Sequence, residues 1–274
     1  MTSVSRRHVL AGAAGVVASG FLGSAAEASA LSPALFVVAH PDDEVLGMGV
    51  ALAEHLAAGQ DVHLLWLSRG TASGARDQLN GTAVSAWWGV AHDPATEGYQ
   101  PLGADEFGAA RIAEGTAAVR CLAAGTAGTL TLHEAGLQDG AITQADVEAA
   151  IVAVADRIAP AGPVRIKTHS HIVDNHSDHV AAGRAARALH DGNPTRFGDL
   201  RQYILPPYWS DPRLSQVSEA WDAPTDAGIT QRVRNAIRAY GAWSPGLGSF
   251  AIGWHSVPSF FSILEANPRC LVHV

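Results

Sequence analysis

The run Ala34-Leu35-Phe36-Val37-Val38-Ala39-His40-Pro41-Asp42-Asp43-Glu44 decides the reading of this chain. Its first residues are apolar, β-branched or aromatic, the composition of a fully buried strand. The run then breaks into His, Pro and three acids, which are expensive to bury. Such acids cost least at a strand end that opens onto a cleft, where a cation offsets their mutual repulsion. His40 supplies a neutral nitrogen and Asp43 a hard oxygen, both suited to zinc. Asp42 is then a spare carboxylate beside the metal, where a hydrolase needs a base. Glu44 reads as an acid stabilising the N-terminus of the following helix.

Outward from this run, Val45 to Ala58 carries helical spacing and stops at Gly59, and Val62 to Leu67 reads as a second strand. The three pieces make a βαβ unit, and an unbroken run such as Leu35-Phe36-Val37-Val38 suits a parallel sheet better than an alternating one. Further helices are expected over Asp105–Ala124, from Thr143 to about Ile158, over Val180–His190 and over Gln231–Tyr240. Thr143-Gln144-Ala145-Asp146 is a loose capping box, with Asp where Glu or Gln is usual. Strands are expected at Thr129–Leu132 and Val164–Thr168, while Pro206 to Asp226 reads as irregular. From Arg69 to Gly103 the chain is rich in Gly, Asp and Asn around Trp87, Trp88 and Tyr99, too long for an ordinary connection. Strand–helix alternation of this kind predicts an α/β fold, a Rossmann-like, doubly wound and mostly parallel sheet with helices on both faces.

A second polar cluster, Asp174-Asn175-His176-Ser177-Asp178-His179, follows the strand Val164–Thr168 as the first follows Ala34–Ala39. In open α/β sheets, ligands gather outside the carboxyl ends of strands, so the two clusters can converge on one cleft. Asp139, after Thr129–Leu132, is placed to join them. A catalytic zinc needs about three protein ligands and one open position. His40, Asp43 and one histidine of the 176/179 pair satisfy that, with the other histidine free to stabilise an oxyanion and Asp174 or Asp178 to orient it. Each half alone is weak, because an HxxH pair is more often two surface histidines. Their conjunction at two strand ends is what points to a metal. His169 and His171 lie near enough to line the cleft, though a polar rim is the plainer reading. Trp87, Trp88 and Tyr99 suit either a sugar-stacking wall or core packing.

Residues 1–30 read as an export leader. Arg6-Arg7 precedes a weakly apolar stretch, Ala11 to Ala26, and Ala28-Ser29-Ala30 supplies a small-x-small end. The arginine pair points to the Tat route, with cleavage after Ala30 and a single domain over residues 31–274. The expected location is therefore outside the cytoplasm, secreted or in the cell envelope. The formal net charge is −8. That acidity argues against a nucleic-acid partner, whose phosphates need a basic surface. It also argues against electrostatic attachment to anionic lipid. Cys121 and Cys270 read either as a disulfide or as two buried thiols.

The motif Ala39-His40-Pro41-Asp42-Asp43-Glu44, with the later His176-Ser177-Asp178-His179, resembles the PIG-L/LmbE family of metal-dependent de-N-acetylases. Gly47-Met48-Gly49, Ser68-Arg69-Gly70, Arg111-Ile112-Ala113-Glu114, Gly136-Leu137-Gln138-Asp139-Gly140 and Ala236-Ile237-Arg238-Ala239-Tyr240 fall in the family's order. The resemblance implies zinc held by His40, Asp43 and His179, Asp42 as general base and His176 as oxyanion or acid partner. It also implies sugar contacts from Arg111 and Asp139. Ser177 replaces the family's usual Pro, Thr71 follows Gly70 where an acid is common, and Asp174 stands where some members have a catalytic tyrosine. His, His and Asp equally suit Fe2+ or another divalent ion.

These readings converge on an exported, zinc-dependent hydrolase that removes an N-acyl group, N-acetyl above all, from an amino sugar or related glycoconjugate. The expected partner is that small-molecule or glycan substrate. A non-hydrolytic carbohydrate- or metal-binding module on the same fold is the alternative, and the spare carboxylate Asp42 argues against it. A nucleotide-binding Rossmann enzyme is disfavoured, because His-Pro-Asp-Asp stands where a GxGxxG turn would meet phosphate.

Overall fold

In the computed structural model, residues 31–274 are described, and the leader expected over residues 1–30 lies outside them. β1 (Ala34–Val38) is buried on both faces along its whole length. The expected helix after it comes in two pieces, α1 (Asp43–Leu46) and α2 (Gly49–Ala57), separated at Gly47-Met48. β2 (Asp61–Trp66) follows. The long 69–103 segment contains two short helices, α3 (Ala75–Leu79) and α4 (Pro94–Glu97). α5 (Ala104–Ala123) and β3 (Thr129–Glu134) come next. α6 (Gln144–Ile158) is opened by Thr143 and Asp146, which cap each other reciprocally, so the loose capping box is a real one. β4 (Arg165–His169), α7 (Ser177–Gly192) and β5 (Leu200–Ile204) complete the parallel part.

The remaining chain adds β6 (Glu219–Asp222), α8 (Ala227–Ala239), β7 (Trp243–Ser244), β8 (Ser249–Phe250), α9 (Ile252–Ser256), α10 (Pro258–Ala266) and β9 (Cys270–His273). The main sheet has the order β3-β2-β1-β4-β5-β9-β6. β1 pairs in parallel with β2 and β4, while β9 runs antiparallel between β5 and β6. Alternation along β1 divides the core. Phe36 and Val38 pack with α2, α5 and α8 on one face, and Leu35 and Val37 pack with α6 and α7 on the other. The sheet is therefore doubly wound, as the strand–helix alternation predicts.

The stretch read as irregular, Pro206 to Asp226, contains the edge strand β6. The 69–103 insertion packs Leu79 and Tyr99 against Phe250 and Ile252, and Trp88 lies 5.0 Å from Trp243. Trp87, Trp88 and Tyr99 thus fasten the insertion to the C-terminal segment and do not line the main cleft. Cys121 and Cys270 are both free thiols. No described helix is long and apolar enough to cross a membrane.

Candidate metal centre

The sheet order reverses between β1 and β4, the topological switch point where open α/β sheets bind ligands. A cleft of about 340 Å³ opens there, lined by His40, Asp42, Asp43, Asp139, His176 and His179 among others. The chain leaves β1 into the turn that carries His40 to Asp43, and α7 begins beside it at the end of β4. His176 is the N-cap of α7 and His179 lies in its first turn, so one helix start presents both imidazoles to the cleft.

Three unlike donor atoms form a nearly equilateral triangle. His40 Nδ1 lies 3.3 Å from Asp43 Oδ2 and 3.3 Å from His179 Nε2, and His179 Nε2 lies 3.2 Å from Asp43 Oδ2. Donors about 2.0–2.1 Å from a tetrahedral zinc stand roughly 3.3–3.4 Å apart. The triangle therefore has the edge length of three corners of such a tetrahedron. Charge points the same way. Asp42, Asp43, Asp139 and Asp174 line the cleft against a single Arg or Lys, Arg111, and Asp178 lies 3.4 Å from His40 Nε2. Burial alone would lower the pKa of His179, yet the carboxylates of Asp43 and Asp174 carry it up to about 9. Burial likewise works against ionising Asp43, but His179 and His169 hold it well below the usual carboxylate range. The pocket is built for a positive charge, and its His/His/Asp donor set suits a divalent transition metal.

The imidazoles are held from behind. His179 Nδ1 lies 2.9 Å from Asp174 Oδ2, the arrangement by which a carboxylate fixes a ligating histidine's tautomer. His40 Nε2 faces Asp139 Oδ1 at 3.0 Å and Asp178 at 3.4 Å, in ion-pair range but out of line for a hydrogen bond. Two carboxylates there favour a proton on Nε2, which leaves the Nδ1 lone pair toward the triangle. Asp174 thus supports His179 and not His176. Asp178 supports neither imidazole of the HxxH pair, because its side chain accepts from Gly140 N at 2.8 Å and pins the 136–140 turn.

Asp139 and Arg111, expected at the sugar, both line the cleft and also have protein partners. Asp139 Oδ2 accepts from Ala72 N at 2.6 Å while Oδ1 faces His40. Arg111 is buried. Its Nη1 donates to Gly70 O at 2.8 Å, and its Nη2 to Pro41 O at 2.6 Å and Asp42 Oδ2 at 2.9 Å. These bonds tie Arg111 to Asp42 at the wall of the cleft. Its helix neighbour Glu114 is not a surface partner either, because its carboxylate accepts from Phe250 N and Ile252 N. Asp42 itself is buried and has φ 124, a left-handed backbone angle that non-glycine residues avoid. Burial pushes its carboxyl up to about 6 against the opposing pull of Arg111.

Some residues were placed differently by the sequence. His169 belongs neither to the cleft lining nor to a polar rim. It is fully buried and stacks on His179 with ring centroids 4.0 Å apart. Its Nε2 accepts from Ala39 N at 3.2 Å, so that lone pair is already used. His171 turns aside to Gln202. Glu44 stands in the first turn of α1 as expected, but it is buried, with Tyr240 and Trp66 as partners. The apolar side of the cleft, formed by Leu46, Leu205, Tyr208, Val257 and Phe260, comes largely from late segments whose sequence carries no site signal.

The fold and the donor triangle define an α/β protein with a candidate metal site at its switch point. Solved structures share this architecture at low identity. The N,N'-diacetylchitobiose deacetylase of Pyrococcus horikoshii superposes with a TM-score of 0.53 at 15% identity, over 86% of this chain and 78% of its own. The zinc-inhibited form of teicoplanin deacetylase gives 0.51 at 16%, over 88% and 97%. A family profile described as PIG-L, GlcNAc-PI de-N-acetylase, matches residues 35–190, and the chain belongs to that family. Among curated proteins, it is 38% identical over 92 residues to the 1D-myo-inositol 2-acetamido-2-deoxy-alpha-D-glucopyranoside deacetylase of Mycobacterium avium. The Rhodococcus jostii protein of the same name is 36% identical over 91 residues. The Mycobacterium avium match spans 33% of this chain and only 25% of the relative.

Proposed function

We propose that this protein is a metal-dependent hydrolase that removes an N-acyl group, N-acetyl above all, from an amino sugar or related glycoconjugate. The observation that carries the proposal is the donor triangle of His40, Asp43 and His179 with the carboxylate of Asp42 in the same cleft. Family membership supports it, and so do relatives whose names describe removal of acetyl groups from acetamido sugars.

His40, Asp43 and His179 would hold the ion, which we take to be zinc or another divalent metal such as Fe2+. When bound, such an ion supplies Lewis acidity toward the amide carbonyl and lowers the pKa of water. Asp42 is the proton acceptor for the attacking water and returns that proton to the departing amine, a role suited to a carboxyl raised toward neutrality. His176 stands at the cleft wall, its ring centroid 4.8 Å from that of His40, where an N–H can meet the developing oxyanion. His176 Nδ1 accepts from Asp178 N at 3.3 Å, which leaves Nε2 as the atom to donate.

Amine release from N-acetylglucosamine compounds tests this reading. The enzyme reconstituted with zinc or ferrous ion should release free amine, and Asp42→Ala should lower kcat by about 10²–10⁴-fold with metal retained. Unchanged hydrolysis in Asp42→Ala would overturn the assignment of the base. Metal binding without any hydrolysis would favour the binding-module reading. We propose further that residues 1–30 direct Tat export of the folded domain 31–274. Arg6→Lys with Arg7→Lys should then hold the protein in the cytoplasm, and unchanged export would refute it.

A further inference from the structure

Asp42 combines a carboxylate that must face the cleft with a backbone angle that only glycine adopts freely. Its φ of 124 is one of three positive values among the described non-glycine residues. Such strain persists only where the surroundings hold it. The holding groups are visible on both sides of a single peptide plane. The carbonyl of the Pro41–Asp42 peptide accepts from Arg111 Nη2 at 2.6 Å. The N–H of the same peptide donates to Glu44 Oε2 at 3.1 Å. The next peptide is held as well, its Asp42 carbonyl accepting from Val45 N and Leu46 N, and with both planes held the rotation about the Asp42 N–Cα bond is fixed.

Glu44 is itself immobilised. It is fully buried, its Oε2 also accepts from Trp66 Nε1 at 3.1 Å, and its Oε1 accepts from the Tyr240 hydroxyl. Trp66 ends β2 and Tyr240 closes α8, so two distant elements anchor one carboxylate. Gly115 of α5 leaves the room this requires, because a Cβ there would stand 3.0 Å from both the Tyr240 hydroxyl and the Trp66 ring. A helix-stabilising acid would need none of these partners and would face solvent.

We propose that Glu44 is a positioning residue. It grips the N–H of the Pro41–Asp42 peptide, opposite Arg111 on the carbonyl, and so keeps Asp42 in the strained conformation that aims its carboxylate into the cleft. This inference rests on Asp42 being the base of the reaction proposed above. Glu44 does not itself line the cleft, and among the lining residues its carboxylate bonds only Asp42, so its effect should travel through Asp42.

The test is a kinetic cycle on the metal-loaded enzyme. Glu44→Leu, combined with Tyr240→Phe so that no hydroxyl is left without a partner, removes the acceptor. It should lower kcat by about 10–100-fold, the scale of a small misplacement, with KM and metal content within about twofold. Glu44→Gln keeps an acceptor oxygen and should retain kcat to within about threefold. In an Asp42→Asn background the Leu/Phe pair should change the residual rate by less than about twofold, because its target is already gone. An undiminished kcat in the Leu/Phe variant would overturn the proposal. So would an equal loss in the Asp42→Asn background, which would show a general structural role. Should the Leu/Phe protein not fold, Tyr240→Phe alone loosens the anchor, and its kcat effect must likewise vanish in the Asp42→Asn background. Absence of hydrolysis in the wild type would instead sink the underlying reaction.

Discussion

Asp174 shows how much of the site depends on groups one step removed from the donors. Its Oδ2 meets His179 Nδ1, while its Oδ1 accepts the backbone N–H groups of Asn175 and His176. One carboxylate therefore sets both the tautomer of a donor and the entry into α7. Asp174→Asn should weaken metal affinity by about 10–100-fold, measured by competition with a chromogenic chelator. Unchanged affinity would mean that packing alone orients His179. The candidate donors were partly legible in the sequence, because His, Asp and their positions after two strands carry chemistry directly, while the choice of His179 over His176 came from the family resemblance. The partners of Arg111 and Asp139 were not, since a charged residue near a cleft can face outward or inward and only the packed structure decides. Glu44 does stand in the first turn of α1 and accepts from the N–H of its N-cap, but its burial was not legible: an acid at a helix start has a sufficient local explanation, and Tyr240 lies almost two hundred positions away.

At the scale of elements, the junction of α7 with β4 positions the second half of the site. Gly183 on α7 faces the end of β4, where a Cβ would stand 2.6 Å from His169 O and 2.7 Å from His171 N. Gly183→Ala should push the helix off the strand and lower stability by about 1–3 kcal/mol, read by urea denaturation. An undiminished midpoint would show that the junction yields without cost. The βαβ core and the long amphipathic helices were readable because their periodicities span many residues. β9 and β6 were not, for they are only four residues long. β6, Glu219-Ala220-Trp221-Asp222, is a largely exposed edge whose pairing with β9 no local pattern announces.

Across the whole molecule, stability should depend on pH through buried and half-buried histidines outside the donor triangle. Burial lowers His55, His255 and His273 to about 4 from an ordinary 6.5. Between those values the unfolded chain binds more protons than the folded one, so stability is lost as pH falls from about 6.5 to about 4. Buried Glu44 and Glu114, raised to about 7, contribute with the opposite sign as pH falls, so the histidine share is read by difference. The urea midpoint of His55→Leu relative to wild type should rise as pH falls across that window, and a difference that does not change with pH would contradict the burial argument. The carboxylates crowded around the cleft make a second global prediction. Chelation should lower Tm reversibly by several degrees, since a ligand at about 100 times its Kd contributes about 2.7 kcal/mol.

The central claim is that His40, Asp43 and His179 together hold one divalent ion. Elemental analysis of protein dialysed free of loose metal tests it most directly. About one equivalent of zinc or iron per wild-type chain is expected, falling at least tenfold in His179→Ala while His176→Ala keeps it. Undiminished metal in His179→Ala, or loss in His176→Ala alone, would contradict the assignment.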